Sequence, residues 1–282
     1  MVEGSLPPAP PGHPRPLRIG CCGWSYREWV GPFYRSAEKM LTQYARVFDL
    51  VEMDSTFYRI PEERTMRGIA STVPRRFRFT VKLPGTVTHD EFVRDTPRAR
   101  EALADFGRAV APLQERGLLL LVLVQLAPSF SSDGADDLER LLGELRDRGL
   151  RTATEFRHAS WIEESELERT LSLLRREGSS YTVVDEPLLP PVIHKTAQPI
   201  YVRLHGRNPE HWYDYEYSEG ELAEWSDRIR GLVDEGEEVL VVFNNHPHGY
   251  APRNAQRFSA LMGLTRRGNL ENFPLSPNSA EL

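Results

Sequence analysis

The octapeptide TEFRHASW, residues 154–161, places Glu155, Arg157 and His158 within four positions, directly after a run that reads as a buried strand. A carboxylate, a guanidinium and an imidazole so close together can move protons and hold an anion. The same concentration recurs at other strand-like ends. Trp24 and Tyr26 follow the first apolar run, Glu52 and Asp54 lie on the second, Lys82 on the third and Gln125 on the fourth. Asp185 ends the sixth, Arg203 and His205 the seventh, and Asn244, Asn245 and His246 the eighth.

Residues two apart on a strand share a face, so Glu52 pairs with Asp54, Glu155 with Arg157, and Arg203 with His205. With those faces inward, Glu52, Glu155 and Arg203 form a deeper layer and Asp54, Arg157 and His205 a shallower one. The deeper layer reads equally as a catalytic set or as ion pairs that fix register. The shallower layer is expected to meet ligand. In the functional reading Lys82, Arg157 and Arg203 converge on a phosphate or carboxylate, with Arg157 suited to bidentate contact. Glu52, Glu155 or Asp185 serves as general base, and His205 carries a proton near neutral pH.

A metal is the competing use of these side chains. Glu52, Asp54, Glu155, Asp185, His158, His205 and His246 include ligand types for Mn, Mg or Zn, yet no H-x-x-x-H or C-x-x-C spacing groups them. The cofactor therefore stays unknown, with a divalent metal compatible but not favoured. In the loop NNHPHGYAPRNA, Asn244, Asn245 and a helix start near Asn254 could hold an anionic group. Trp212, Tyr213, Tyr215 and Tyr217 after the seventh run read as a stacking wall or lid, or as simple packing.

The elements that must position these residues alternate in type. The runs LRIGCCG, LVEMDSTF, FRFTVKL, LLLLVLVQL, TATEFR, YTVVDE, IYVRLHG and EVLVVFNN are separated in most cases by amphipathic segments such as RAREALADFGRAVAPLQER and ADDLERLLGELRDRG. The alternation predicts an α/β fold, a TIM-like (β/α)8 barrel, with active-site residues at the C-terminal strand ends. The prolines of PLLPPVIHKTAQP predict a degenerate sixth helix, short or absent. An open doubly wound sheet competes, but GCCGWS lacks the G-x-G-x-x-G spacing. The proline-rich residues 1–16 read as a flexible leader, 17–265 as one barrel domain and 266–282 as a flexible tail.

Composition narrows the partners. A formal charge of -6 offers no broad attraction to phosphate backbones, so nucleic acid is not favoured and anion binding must be local. No stretch approaches a membrane span, and Cys21 and Cys22 form no disulfide framework, which points to a cytoplasmic protein. The oligomeric state is not legible.

The segments IGCCGWSYREWVGPFY, VEMDSTFYRIP, FTVKLPGTVTH, VLVQLAPSF, TEFRHASW, YVRLHG, YDYEYSEGELAEW and FNNHPHGYAPRNA, in this order, resemble the DUF72 (YecE-like) family. The resemblance spans residues 17 to 262 and implies a TIM-like barrel, without an established activity. Within these motifs Tyr58 and His89 join Trp24, Tyr26, Asp54, Lys82, Gln125, Arg157, His158, Arg203, Asn244 and Asn245 as expected substrate-binding residues. Cys21 and Cys22 depart from the small residue or threonine expected there, and Ala127 from a frequent proline. The expected function is that of an enzyme, hydrolase-like or acid–base, acting on a small anionic substrate that contains phosphate or resembles a nucleotide. The alternatives are a metal-dependent nucleic-acid-processing barrel similar to endonuclease IV, resting on fold analogy, and a non-catalytic sensor.

Overall fold

The computed structural model describes residues 16–264 except Phe92. Pro16 apart, the expected leader 1–16 and tail 266–282 lie outside the described residues. Eight strands run in chain order: β1 (Leu17–Cys22), β2 (Leu50–Met53), β3 (Arg78–Lys82), β4 (Leu119–Gln125), β5 (Thr152–Glu155), β6 (Ser179–Asp185), β7 (Ile200–Leu204) and β8 (Val239–Phe243). All pair in parallel with their neighbours, and β8 returns to β1, so the sheet closes into a barrel. The helices are α1 (Met40–Val47), the single turn α2 (Ser55–Tyr58), α3 (Glu63–Thr72), α4 (Pro97–Glu115), α5 (Ala135–Asp147), α6 (Glu164–Glu177), α7 (Glu219–Asp234) and α8 (Tyr250–Leu261). The expected (β/α)8 architecture is therefore the observed one.

Residues 186–199 between β6 and β7 form no helix. Pro187, Pro190 and Pro191 lack the N–H groups that a helical ladder needs. Helix ends elsewhere follow local chemistry. Ser218 and Glu221 form a reciprocal capping box that starts α7, and Thr96 accepts from Ala99 N to start α4, with Pro97 in its first turn.

Strand alternation sorts the apolar side chains into two cores. Leu50, Leu121, Leu123, Ala153, Tyr201, Leu240 and Val242 pack inside the barrel. Residues of opposite parity, such as Val51, Val122 and Val241, join Phe106, Leu142, Trp225 and Phe258 of the helices in the outer layer. Interior apolar residues fill the lower barrel, so the polar side chains at the C-terminal ends of the strands form a floor for the mouth.

Candidate active site at the barrel mouth

The register decides which strand-end residues face inward. Cys22 aligns with Glu52, Gln125 with Glu155, and Val184 with Arg203. Neighbours in a parallel pair project to the same side, so Glu52, Glu155 and Arg203 meet at one level. Arg203 donates from Nε to Glu52 Oε2 at 3.0 Å and from Nη2 to Glu52 Oε1 at 2.5 Å. Its Nη1 donates to Glu155 Oε2. Glu155 Oε1 accepts from Gln125 Nε2 at 2.5 Å and from Arg157 Nη2, while Arg157 Nη1 reaches Glu186 Oε2 just beyond β6. The result is an alternating chain, Glu52–Arg203–Glu155–Arg157–Glu186, that ties β2, β7, β5 and the end of β6 together.

This network is closed below. Glu52 is fully buried and also accepts from Tyr201 Oη and from Cys22 Sγ at 3.0 Å. Burial alone would raise the Glu155 carboxyl, but the Arg157 and Arg203 guanidiniums outweigh it and hold it well below the usual carboxylate range. Two carboxylates and two guanidiniums thus neutralise one another.

The setting of His205 disfavours the charged imidazolium. Burial, followed by the charges of Arg203 and Arg157, pushes its pKa well below the usual histidine value. Its Nε2 lies 3.1 Å from Arg203 Nη1 and 3.3 Å from Arg157 Nη2, and so accepts from both. On the other side of the ring, Asn244 Nδ2 lies 2.8 Å from its Nδ1. The proton-carrier role expected of His205 gives way to that of a neutral acceptor that orients both arginines. The expected three-way cation clamp is corrected as well, because Arg157 and Arg203 are already engaged by carboxylates.

Three ionisable groups of the mouth remain wholly or partly unspent. Lys82 makes no ion pair among the described residues; its Nζ rests 3.8 Å from the Phe57 ring centroid. Burial, then the Arg203 charge, lowers its pKa. The Asp54 carboxylate likewise has no ion pair among the described residues, and burial followed by Glu52 raises its pKa. Glu186 is 6% exposed, its Oε1 has no hydrogen-bond partner, and its pKa is pushed up to about 7 by burial, which outweighs Arg157. A carboxyl poised near neutrality can give or take a proton.

Aromatic rings line the rim. Tyr26 stacks on His246 at 4.7 Å and 6°, and Tyr213 lies 5.5 Å from the His205 ring. The Arg157 guanidinium lies 5.6 Å from the Trp212 ring centroid, within cation–π range. Beside it opens a cavity of about 220 Å³ that His89 and Gln125 also line. Of the expected residues, Asp54, Lys82, His89, Gln125, Arg157, Arg203, His205, Asn244, Glu52 and Glu155 come together here with Tyr26.

Others are placed elsewhere. Asp185 aligns with the outward Leu204; both its oxygens face Arg207 Nε, at 3.0 and 3.1 Å, and Oδ2 accepts from Trp225 Nε1 of α7 at 2.9 Å. The expected base Asp185 therefore braces helix to sheet, and the adjacent Glu186, which the sequence reading passed over, occupies the mouth. Asn245 also faces outward, donating to Tyr215 O and Asn254 Oδ1. Asn254 lies buried inside α8, which begins at Tyr250, and so offers no helix start to an anion. His158 Nδ1 accepts from Ser160 N and starts the turn 159–161. Tyr58 is 81% exposed, because the α2 turn carries it out of the mouth. Trp24 packs edge-on against Phe79 at 6.4 Å. The metal-ligand types are similarly occupied: no three of the described His, Cys, Asp and Glu side chains are grouped so as to hold an ion. No helix among the described residues is long and apolar enough to cross a membrane.

Comparison with known proteins agrees with this architecture. UPF0759 protein YunF of Bacillus subtilis (strain 168) is 28% identical over 274 residues, covering 89% of this chain and 96% of that protein. A crystal structure of a DUF72 family protein from Enterococcus faecalis V583 superposes with a TM-score of 0.79 at 27% identity, covering 89% of this chain and 96% of that one. A DUF72 family protein from Thermotoga maritima MSB8 gives 0.73 at 33% identity, covering 87% and 98%. The family model described as "Protein of unknown function DUF72" matches residues 18–279, and the chain belongs to that family.

Proposed function

We propose that the barrel mouth binds a small anionic substrate, carrying phosphate or carboxylate, against Lys82, and that Glu186 moves a proton in acid–base or hydrolytic chemistry. The observation that carries this reading is the Lys82 ammonium, which has no ion pair among the described residues while Arg157 and Arg203 are both matched by carboxylates. A partly buried ammonium without a partner is costly, and a bound anion offsets that cost. Glu186 stands on the far side of Arg157 with one oxygen unpartnered, near the pH at which acid and base forms are both present. Lys82 supplies charge as a point donor, while Arg157 lends the outer edge of a guanidinium already fixed by two carboxylates.

Calorimetric titration with inorganic phosphate, sugar phosphates and dicarboxylates tests this. At least one is expected to bind the wild type, and Lys82→Met to weaken it by about tenfold to a hundredfold, the worth of a charged hydrogen bond. Glu186→Gln is expected to keep binding and lose turnover of that ligand, whereas a non-catalytic sensor has no turnover to lose. Unchanged affinity in Lys82→Met would sink the proposal.

A further inference from the structure

The loop between β7 and α7 does something the charge network does not require: it raises Trp212 and Tyr213 against the mouth. Its backbone is held in place. Gly206 adopts φ 113°, and a Cβ there would lie 2.2 Å from Trp212 O, so only glycine lets the loop fold back this tightly. Asn208 Oδ1 accepts from Glu210 N at 3.0 Å and His211 N at 3.2 Å, and its Nδ2 donates to Asp214 O at 3.2 Å. Trp212 therefore sits within a locally cross-linked turn, and little freedom is left to lose when something packs on it.

The surface it helps to form is apolar and incompletely covered. Leu126, Pro128 and Leu188 line the 220 Å³ cavity together with Trp212 and Tyr213. Tyr213 is 37% exposed and Leu188 62% exposed. A concave apolar surface with a few convergent polar groups is the usual form of a small-ligand site. The polar groups here are Gln125, His89 and Arg157, the last locked by Glu155 and Glu186. Phe57 links this cavity to Lys82: its ring lies 4.8 Å from the His89 ring and 3.8 Å from Lys82 Nζ, centroid distances. The slot thus lies two ring contacts from the Lys82 ammonium, which does not itself line it.

We infer that this cavity is a subsite for a planar ring, so that the substrate is an aromatic or heteroaromatic anion whose ring packs on Trp212 and Tyr213 and whose charged group meets Lys82. The inference rests on the anion-binding reading of the mouth. Aromatic walls accept a ring through its π-face and reward it beyond the area covered; a ringless phosphate would leave them exposed.

Titration with four probes separates the two layers of the proposal: inorganic phosphate, ribose 5-phosphate, UMP and orotate. UMP or orotate is expected to bind the wild type about tenfold or more tightly than ribose 5-phosphate and phosphate. Trp212→Ala should erase that increment while retaining phosphate binding, and Trp212→Phe, which keeps a ring, should retain most of it. Unchanged circular dichroism in both variants excludes misfolding as the cause. If ribose 5-phosphate binds as tightly as UMP and orotate, or if the increment survives Trp212→Ala, the ring subsite is overturned while the anion reading stands. If none of the four binds, or if all bind Lys82→Met as they bind the wild type, the anion reading falls and the ring subsite with it.

Discussion

Replacing Glu186 by glutamine converts a carboxyl held near neutrality into a group that stays uncharged at every pH. In the folded chain Glu186 is 6% exposed and its pKa is raised from 4.5 to about 7. Between those values the folded chain keeps a proton that the unfolded chain releases. Wild-type stability therefore falls as pH rises through that window, by about 3 kcal/mol in all. The glutamine variant has no such term. Its stability relative to wild type should be flat below pH 4.5, climb between pH 4.5 and 7, and level off above. For a barrel of this size the climb corresponds to roughly 6 to 12 °C in Tm. Differential scanning calorimetry of both proteins between pH 4 and 8.5 reads it directly. A difference in Tm that does not change with pH would refute the reasoning, because it would mean that the Arg157 pair keeps Glu186 ionised at its ordinary pKa.

Arg203→Met leaves Glu52 and Glu155 buried without their shared partner, and a urea titration should show a loss of about 3–5 kcal/mol. Arg203→Lys should recover only part of it, since an ammonium cannot reproduce the two-pronged contact with Glu52. Gly206→Ala forces a Cβ against the Trp212 carbonyl at positive φ; it should lower stability by more than about 1 kcal/mol and shift the tryptophan emission. Cys21 and Cys22 are both buried with their thiol pKa values pushed up by burial, so neither should react with a thiol reagent at pH 8 in the native protein. Both should titrate after denaturation.

The barrel was legible because each strand carries a β-branched or apolar run and each proline cluster marks a break; the helix missing after β6 follows from Pro187, Pro190 and Pro191 alone. The inner layer was legible for the same reason, since strand parity alone groups Glu52, Glu155 and Arg203. Two adjacent pairs defeated it. On β6 both Val183 and Val184 are buried, so nothing in the sequence marks which parity faces inward, and Asp185 reads as the strand-end acid although it is Glu186 that reaches Arg157. Asn244 and Asn245 pose the same ambiguity, resolved by the contact of Asn244 with His205. Charge compensation was the other hidden quantity. A sequence shows Lys82, Arg157 and Arg203 as three equal cations, and only their distances to carboxylates reveal that Lys82 alone among them lacks an ion-pair partner within the described residues.

Anion binding at Lys82 is tested most directly by anomalous diffraction from wild-type and Lys82→Met crystals soaked in low-millimolar tungstate, a phosphate-shaped dianion. A peak about 4 Å from the Lys82 ammonium in the wild type, the hydrogen-bond length to an oxygen plus the bond from that oxygen to tungsten, lost in the variant, is the predicted result. A peak that persists in Lys82→Met, or one that appears only away from the mouth, would contradict it.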